Sequence, residues 1–72
     1  MARAASVVLP SLAYWRGRRR LTQERLAERI GLRRTTIWRI EAGHPALKRT
    51  ARLLAGALGV QVDDLRRQPP QD

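Results

Sequence analysis

LTQERLAERIGLRRTTIWRIEAG, running from Leu21 to Gly43, holds two apolar periods separated by a single glycine. In the first, Leu26, Ala27 and Ile30 share one side of a helix. Thr22 is a strong N-cap, because its hydroxyl can accept a free N–H of the following turn. The capping-box position falls on Arg25, so no box is formed, but Glu24 in the first turn still complements the helix dipole. Gly31 ends this helix as a left-handed residue would, which predicts a helix over about Gln23–Ile30. Leu32 restarts the apolar pattern. Arg33 or Arg34 opens a second helix, expected over about Arg34–Ala42, with Ile37 and Ile40 turned inward and Gly43 and Pro45 as its stop. Its outward face then holds Arg34, Thr35, Trp38 and Arg39.

Outward from this stretch the chain reads as more helix. Residues 1–9, MARAASVVL, show no clear amphipathic period and are expected to form a flexible N-terminal arm or a short extension. Val7, Val8 and Leu9 are too apolar for a solvated tail, so the arm should pack on the domain or on a partner. Pro10 suits a helix start with Ser11 near the cap, and Leu12 and Trp15 share a face, with Trp15 read as core. Arg18, Arg19 and Arg20 follow at the end of that helix, where positive charge is favourable. The run fits a solvated face or a phosphate contact equally well. On the other side, a helix is expected over about Ala46–Leu58, with Leu47, Ala51, Leu54 and Leu58 spaced 4, 3 and 4, and with Gly59 as its terminator. VQVDDLRR reads as one more helical turn in which Val60, Val62 and Leu65 close the core. Asp63 and Asp64 near its start act on the dipole rather than on a metal. RRQPPQD (66–72) is expected to be a flexible tail. With no internal repeat and no plausible strand pairing, the class is all-α, with one domain over 10–65 between the arm and the tail.

Composition narrows the function. A chain of 72 residues is a single small domain. It has no cysteine and one histidine, His44, so no disulfide, thiolate site or zinc site is expected. A nucleophile, base and orienter cannot be assembled from these residues, and no glycine-rich phosphate loop is present. The chain therefore reads as a non-enzyme without metal or cofactor. Lys and Arg number 15 against 6 Asp and Glu, a formal charge of +9. That balance suits a polyanion, nucleic acid first and an anionic membrane surface second. Fourteen of the 15 basic residues are arginine, whose planar fork matches phosphates and guanine edges. The apolar runs are far shorter than the roughly 20 residues of a bilayer span. Arg3 with AASVVL resembles a signal-peptide start only faintly, since Tyr14-Trp15-Arg16 follows instead of a cleavage site. A soluble, cytoplasmic, nucleoid-associated protein is the expectation.

Two short helices joined at a glycine form a helix-turn-helix. The break reorients the second helix, so that its polar N-terminal half projects and can enter a major groove. Arg33-Arg34-Thr35-Thr36 then places cationic and hydrogen-bonding groups where the groove begins. The N–H groups at the start of the first helix can meet a phosphate.

At this point the stretch resembles the lambda-repressor-like helix-turn-helix of the Cro/C1 (xenobiotic-response-element) type regulators. The matching residues are Arg16 six positions before Thr22, then Leu21-Thr22-Gln23, Leu26-Ala27, Gly31, Ile37, Ile40-Glu41 and Gly43. LLAGALGVQVDDL (53–65) is similar to the family's last core helix and closing turn, so the resemblance spans about residues 11–65. It implies a compact five-helix domain binding double-stranded operator DNA, as a homodimer on a palindrome, most simply as a repressor. Carried over by position, Arg34, Thr35 and Arg39 face base edges. Thr22, Gln23, Arg33 and Thr36 meet the sugar-phosphate chain, and Gln23 also helps orient the second motif helix. Trp38 is assigned to the sugar-phosphate chain too, although it stands where the family often has a small or polar residue. Arg16 and Glu41 form a structural ion pair. The loop GHPAL is shorter than usual in the family, with Pro45 two residues after Gly43. The alternative function is an antitoxin or co-regulator module whose main partner is another protein, held by the apolar SVVL arm or by the tail.

Overall fold

The computed structural model describes residues 6–70; residues 1–5 of the expected arm, Arg3 included, and residues 71–72 of the expected tail lie outside them. The chain runs β1 (Ser6–Val7), α1 (Leu12–Arg18), α2 (Gln23–Ile30), α3 (Arg34–Glu41), β2 (Ala46–Leu47), α4 (Lys48–Leu58) and α5 (Val62–Arg66). Five helices make the body, as an all-α reading requires.

α2 and α3 form from the local signals read in the sequence. Thr22 caps α2, its hydroxyl accepting the Arg25 N–H at 3.0 Å. Gly31 stops the helix at φ 72°, and Leu32 N–H closes back on the Ala27 carbonyl at 2.9 Å. This is the left-handed helix ending that a side chain at Gly31 would oppose. Leu26, Ala27, Ile37 and Ile40 are buried between the two helices and the rest of the domain. Leu12, Leu54, Leu58 and Leu65 join them in a single core.

Several boundaries differ from the sequence reading. A strand pairing is present: β1 and β2 form a short antiparallel ladder with Ser6 opposite Leu47 and Val7 opposite Ala46. Its cause is packing, because Leu9 is fully buried and draws the arm against the domain. Val7 is half-buried and Val8 exposed. The fourth helix consequently begins at Lys48, not Ala46. Leu47 lies in the ladder and is exposed, and the inward row of α4 is Ala51, Leu54, Ala55 and Leu58. Ser11 occupies the N-cap position of α1 but makes no side-chain cap bond. It is buried, with its N–H on the Leu65 carbonyl at 3.1 Å and its hydroxyl donating to the Arg67 carbonyl. That clasp ties the start of the domain to its end: α5 runs to Arg66, and the backbone carbonyl of Arg67 is held by Ser11 while both arginine side chains stay exposed. Trp15 is half-buried rather than fully core, edge-on to Tyr14 with ring centroids 5.1 Å apart.

Candidate nucleic-acid interface

The site is the outer side of α3 and the start of α2. A hydrogen-bonded chain fixes their relation. Glu41, at the end of α3, accepts from Arg16 of α1 at 2.6 Å (Nε to Oε2) and 3.0 Å (Nη2 to Oε1). Arg16 also donates to the Leu21 carbonyl at 2.8 Å, so one guanidinium grips both α3 and the turn before α2. The side chains are 20% and 10% exposed. The hydrogen bond to Glu41 raises the Arg16 pKa above its ordinary value, against the opposing effect of burial. Arg16 therefore stays charged, and the fork-to-carboxylate geometry sets orientation as well as energy.

The chain continues outward. Gln23, the first residue of α2, donates to Glu41 Oε1 at 2.9 Å and accepts from Arg34 Nη1 at 3.3 Å. Arg34 opens α3. The exposed first residue of the outer helix is thus linked through Gln23 and Glu41 to α1. No local pattern in the sequence signals these two glutamine bonds, because they depend on how α2 and α3 cross.

The outward face holds the expected side chains. Arg34, Thr35, Trp38 and Arg39 are exposed, and Ile37 and Ile40 point inward. Trp38 is 54% exposed, a large value for a tryptophan on a helix of the body. Arg33 is the exposed N-cap residue of α3 and makes no side-chain cap bond. Thr36 is half-buried. It lines an open hollow of about 370 Å³ together with Arg39, His44, Pro45, Leu47 and Thr50, between α3 and the start of α4. Among the described residues the ion pairs are Arg16–Glu41, Arg66–Asp63 and Arg67–Asp64, so no carboxylate pairs with Arg33, Arg34 or Arg39. The surface is cationic and rich in donors, and it stands on a rigid frame.

A protein-family model described as helix-turn-helix matches residues 12–65, three quarters of the chain. The chain belongs to the Cro/C1-type helix-turn-helix family. It is a DNA-binding transcriptional regulator with a lambda-repressor-like all-α fold, and α2 and α3 are the two helices of its motif. The family is regulatory rather than enzymatic. No curated protein and no solved structure matches the chain significantly.

Other residues of this helix-turn-helix protein have structural uses. Arg19, read as part of a solvated or phosphate-binding run, donates to the Leu58 carbonyl at 2.8 Å and lies 5.9 Å from the Trp15 ring centre. It satisfies the end of α4 and is taken up by the fold. Asp64 accepts the Gln61 N–H at 2.9 Å and caps α5. Among the described residues no acidic or histidine cluster could hold a metal, and no helix is long and apolar enough to cross a membrane.

Proposed function

We propose that this regulator is a sequence-specific repressor that reads double-stranded DNA in the major groove with α3. The observation carrying this reading is the division of α3: Ile37 and Ile40 are buried, whereas Arg34, Thr35, Trp38 and Arg39 are exposed, and among the described residues no carboxylate pairs with the arginines. A helix that only supported the domain would gain nothing from uncompensated guanidiniums on its outer turn.

The roles follow from the free hydrogen-bonding capacity of each side chain. Arg34 has one nitrogen on Gln23, and the rest of its fork is free for a guanine O6/N7 edge. Arg39 offers a second fork one turn further on, and Thr35 between them suits a thymine methyl or a base edge. Gln23 uses one amide proton on Glu41 and keeps the other for a phosphate. The Thr22 oxygen accepts from Arg25, leaving its own proton to donate. Arg33, Thr36 and Trp38 flank the groove against the sugar-phosphate chain. A two-fold dimer would set half-sites about 34–36 Å apart on a palindrome. Such a protein acts on the nucleoid in the cytoplasm. Against a mainly protein-binding role, Leu9 of the SVVL arm is fully buried in the domain's own core.

Arg34→Ala and Arg39→Ala test the reading. Each is expected to cut the preference for the best duplex over an unrelated one by about 5-fold to 150-fold, the equivalent of roughly 1–3 kcal/mol for a bidentate base contact. Unchanged preference in both variants would refute readout by α3.

A further inference from the structure

We infer that Arg20 is a DNA-backbone contact, held in a left-handed conformation in the turn between α1 and α2; the assignment rests on the DNA-binding reading above. The first four helices end alike. In each, a backbone N–H reaches back five residues: Leu21 to Arg16 at 3.2 Å, Leu32 to Ala27 at 2.9 Å, His44 to Arg39 at 3.0 Å and Val60 to Ala55 at 3.0 Å. In each, the residue before that donor has positive φ: Arg20 at 56°, Gly31 at 72°, Gly43 at 107° and Gly59 at 70°. Three of the four are glycine, the residue without a Cβ penalty there. Arg20 is the one residue other than glycine with positive φ among the described residues.

The fold does not use the Arg20 side chain. It is exposed, and among the described residues it has no ion pair or side-chain hydrogen bond. Its neighbour Arg19 does make a structural bond, to Leu58. The backbone, by contrast, is clamped from both sides, because Arg16 accepts the Leu21 N–H through its carbonyl and donates to the Leu21 carbonyl through its guanidinium. A guanidinium is thus kept at a strained position that glycine would fill without strain. The turn leads within two residues to Thr22 and Gln23, the proposed phosphate contacts. Strain held at one exposed position, with no side-chain partner among the described residues, points to a partner outside the chain. The chemistry that fits an arginine at this place is a backbone phosphate, which carries no sequence information.

The test pairs stability with binding. Arg20→Gly should raise Tm by about 4 °C and weaken binding to every duplex about fivefold at 0.15 M salt, with the salt slope shallower by about 0.9. Arg20→Lys keeps the charge and the strain and should match the parent in both measurements. Arg52→Gln, which removes one charge from α4, should lose less affinity than Arg20→Gly. The assignment is overturned if Arg20→Gly binds like the parent, loses no more than Arg52→Gln, or melts no higher. A parent that binds no duplex defeats the DNA reading itself; a parent that binds while Arg20→Gly shows no loss overturns the Arg20 assignment alone and leaves readout by α3 intact.

Discussion

Replacing Glu41 by glutamine tests the frame that orients α3. The carboxylate accepts three donors, two from Arg16 and one from Gln23, at 2.6, 3.0 and 2.9 Å. An amide of the same shape has a single oxygen, so at least one donor must face an NH2 group. Arg16 then keeps its charge without a carboxylate beside it, held by the Leu21 carbonyl and at most one amide oxygen. Breaking a fully buried pair costs about 3–5 kcal/mol, and these side chains are partly solvated, which brings the expected loss to about 2 kcal/mol. A domain of this size is stable by roughly 4–10 kcal/mol, so the loss is a large fraction of the whole. Thermal melting followed by far-UV circular dichroism should show Tm lower by about 8–16 °C. Adding Arg16→Met should cost far less than it does in the parent, giving a coupling of about 1–2 kcal/mol. A Tm within about 2 °C of the parent for Glu41→Gln, or additive effects in the double variant, would mean that the Arg16–Glu41–Gln23 chain does not hold α3 in place.

Three further outcomes follow from the fold. Leu9→Ala should destabilise by about 2–5 kcal/mol in urea unfolding, since Leu9 is fully buried; a loss below about 1 kcal/mol would mean that the arm is not part of the core. Gly31→Ala should cost about 1 kcal/mol from backbone strain alone, because a Cβ there meets no atom within 4 Å; a neutral or stabilising result in thermal melting would contradict the left-handed turn. Thr22→Ala should cost about 1 kcal/mol by loss of the cap, and Thr22→Ser should recover most of it in the same assay.

The motif was legible because its signals are local. Thr22 capping, the Leu26–Ala27 stripe and the left-handed Gly31 are each decided within a few residues, and they appear where periodicity put them. Arg16–Glu41 was legible only through family resemblance, since 25 residues separate the partners. The ladder and the Ser11 clasp were not legible. They arise from contacts across the chain, and a two-residue strand has no period to detect. Leu47 misled for a related reason: its 4-3-4 spacing continues the α4 pattern backwards, but pairing with Ser6 keeps it out of the helix. Among the arginines, sequence could not separate Arg19, which is taken up by Leu58, from Arg20, whose side chain has no partner among the described residues.

The proposed task of α3 is to read base sequence. It is met most directly by selecting bound duplexes from a random pool at about 0.15 M salt, where non-specific phosphate attraction is weakened, with the parent and Arg39→Ala run in parallel. The parent should enrich a defined site with two-fold symmetry, and the variant should relax it at the same position in each half. No enrichment by the parent, or one identical site recovered by both proteins, would contradict it.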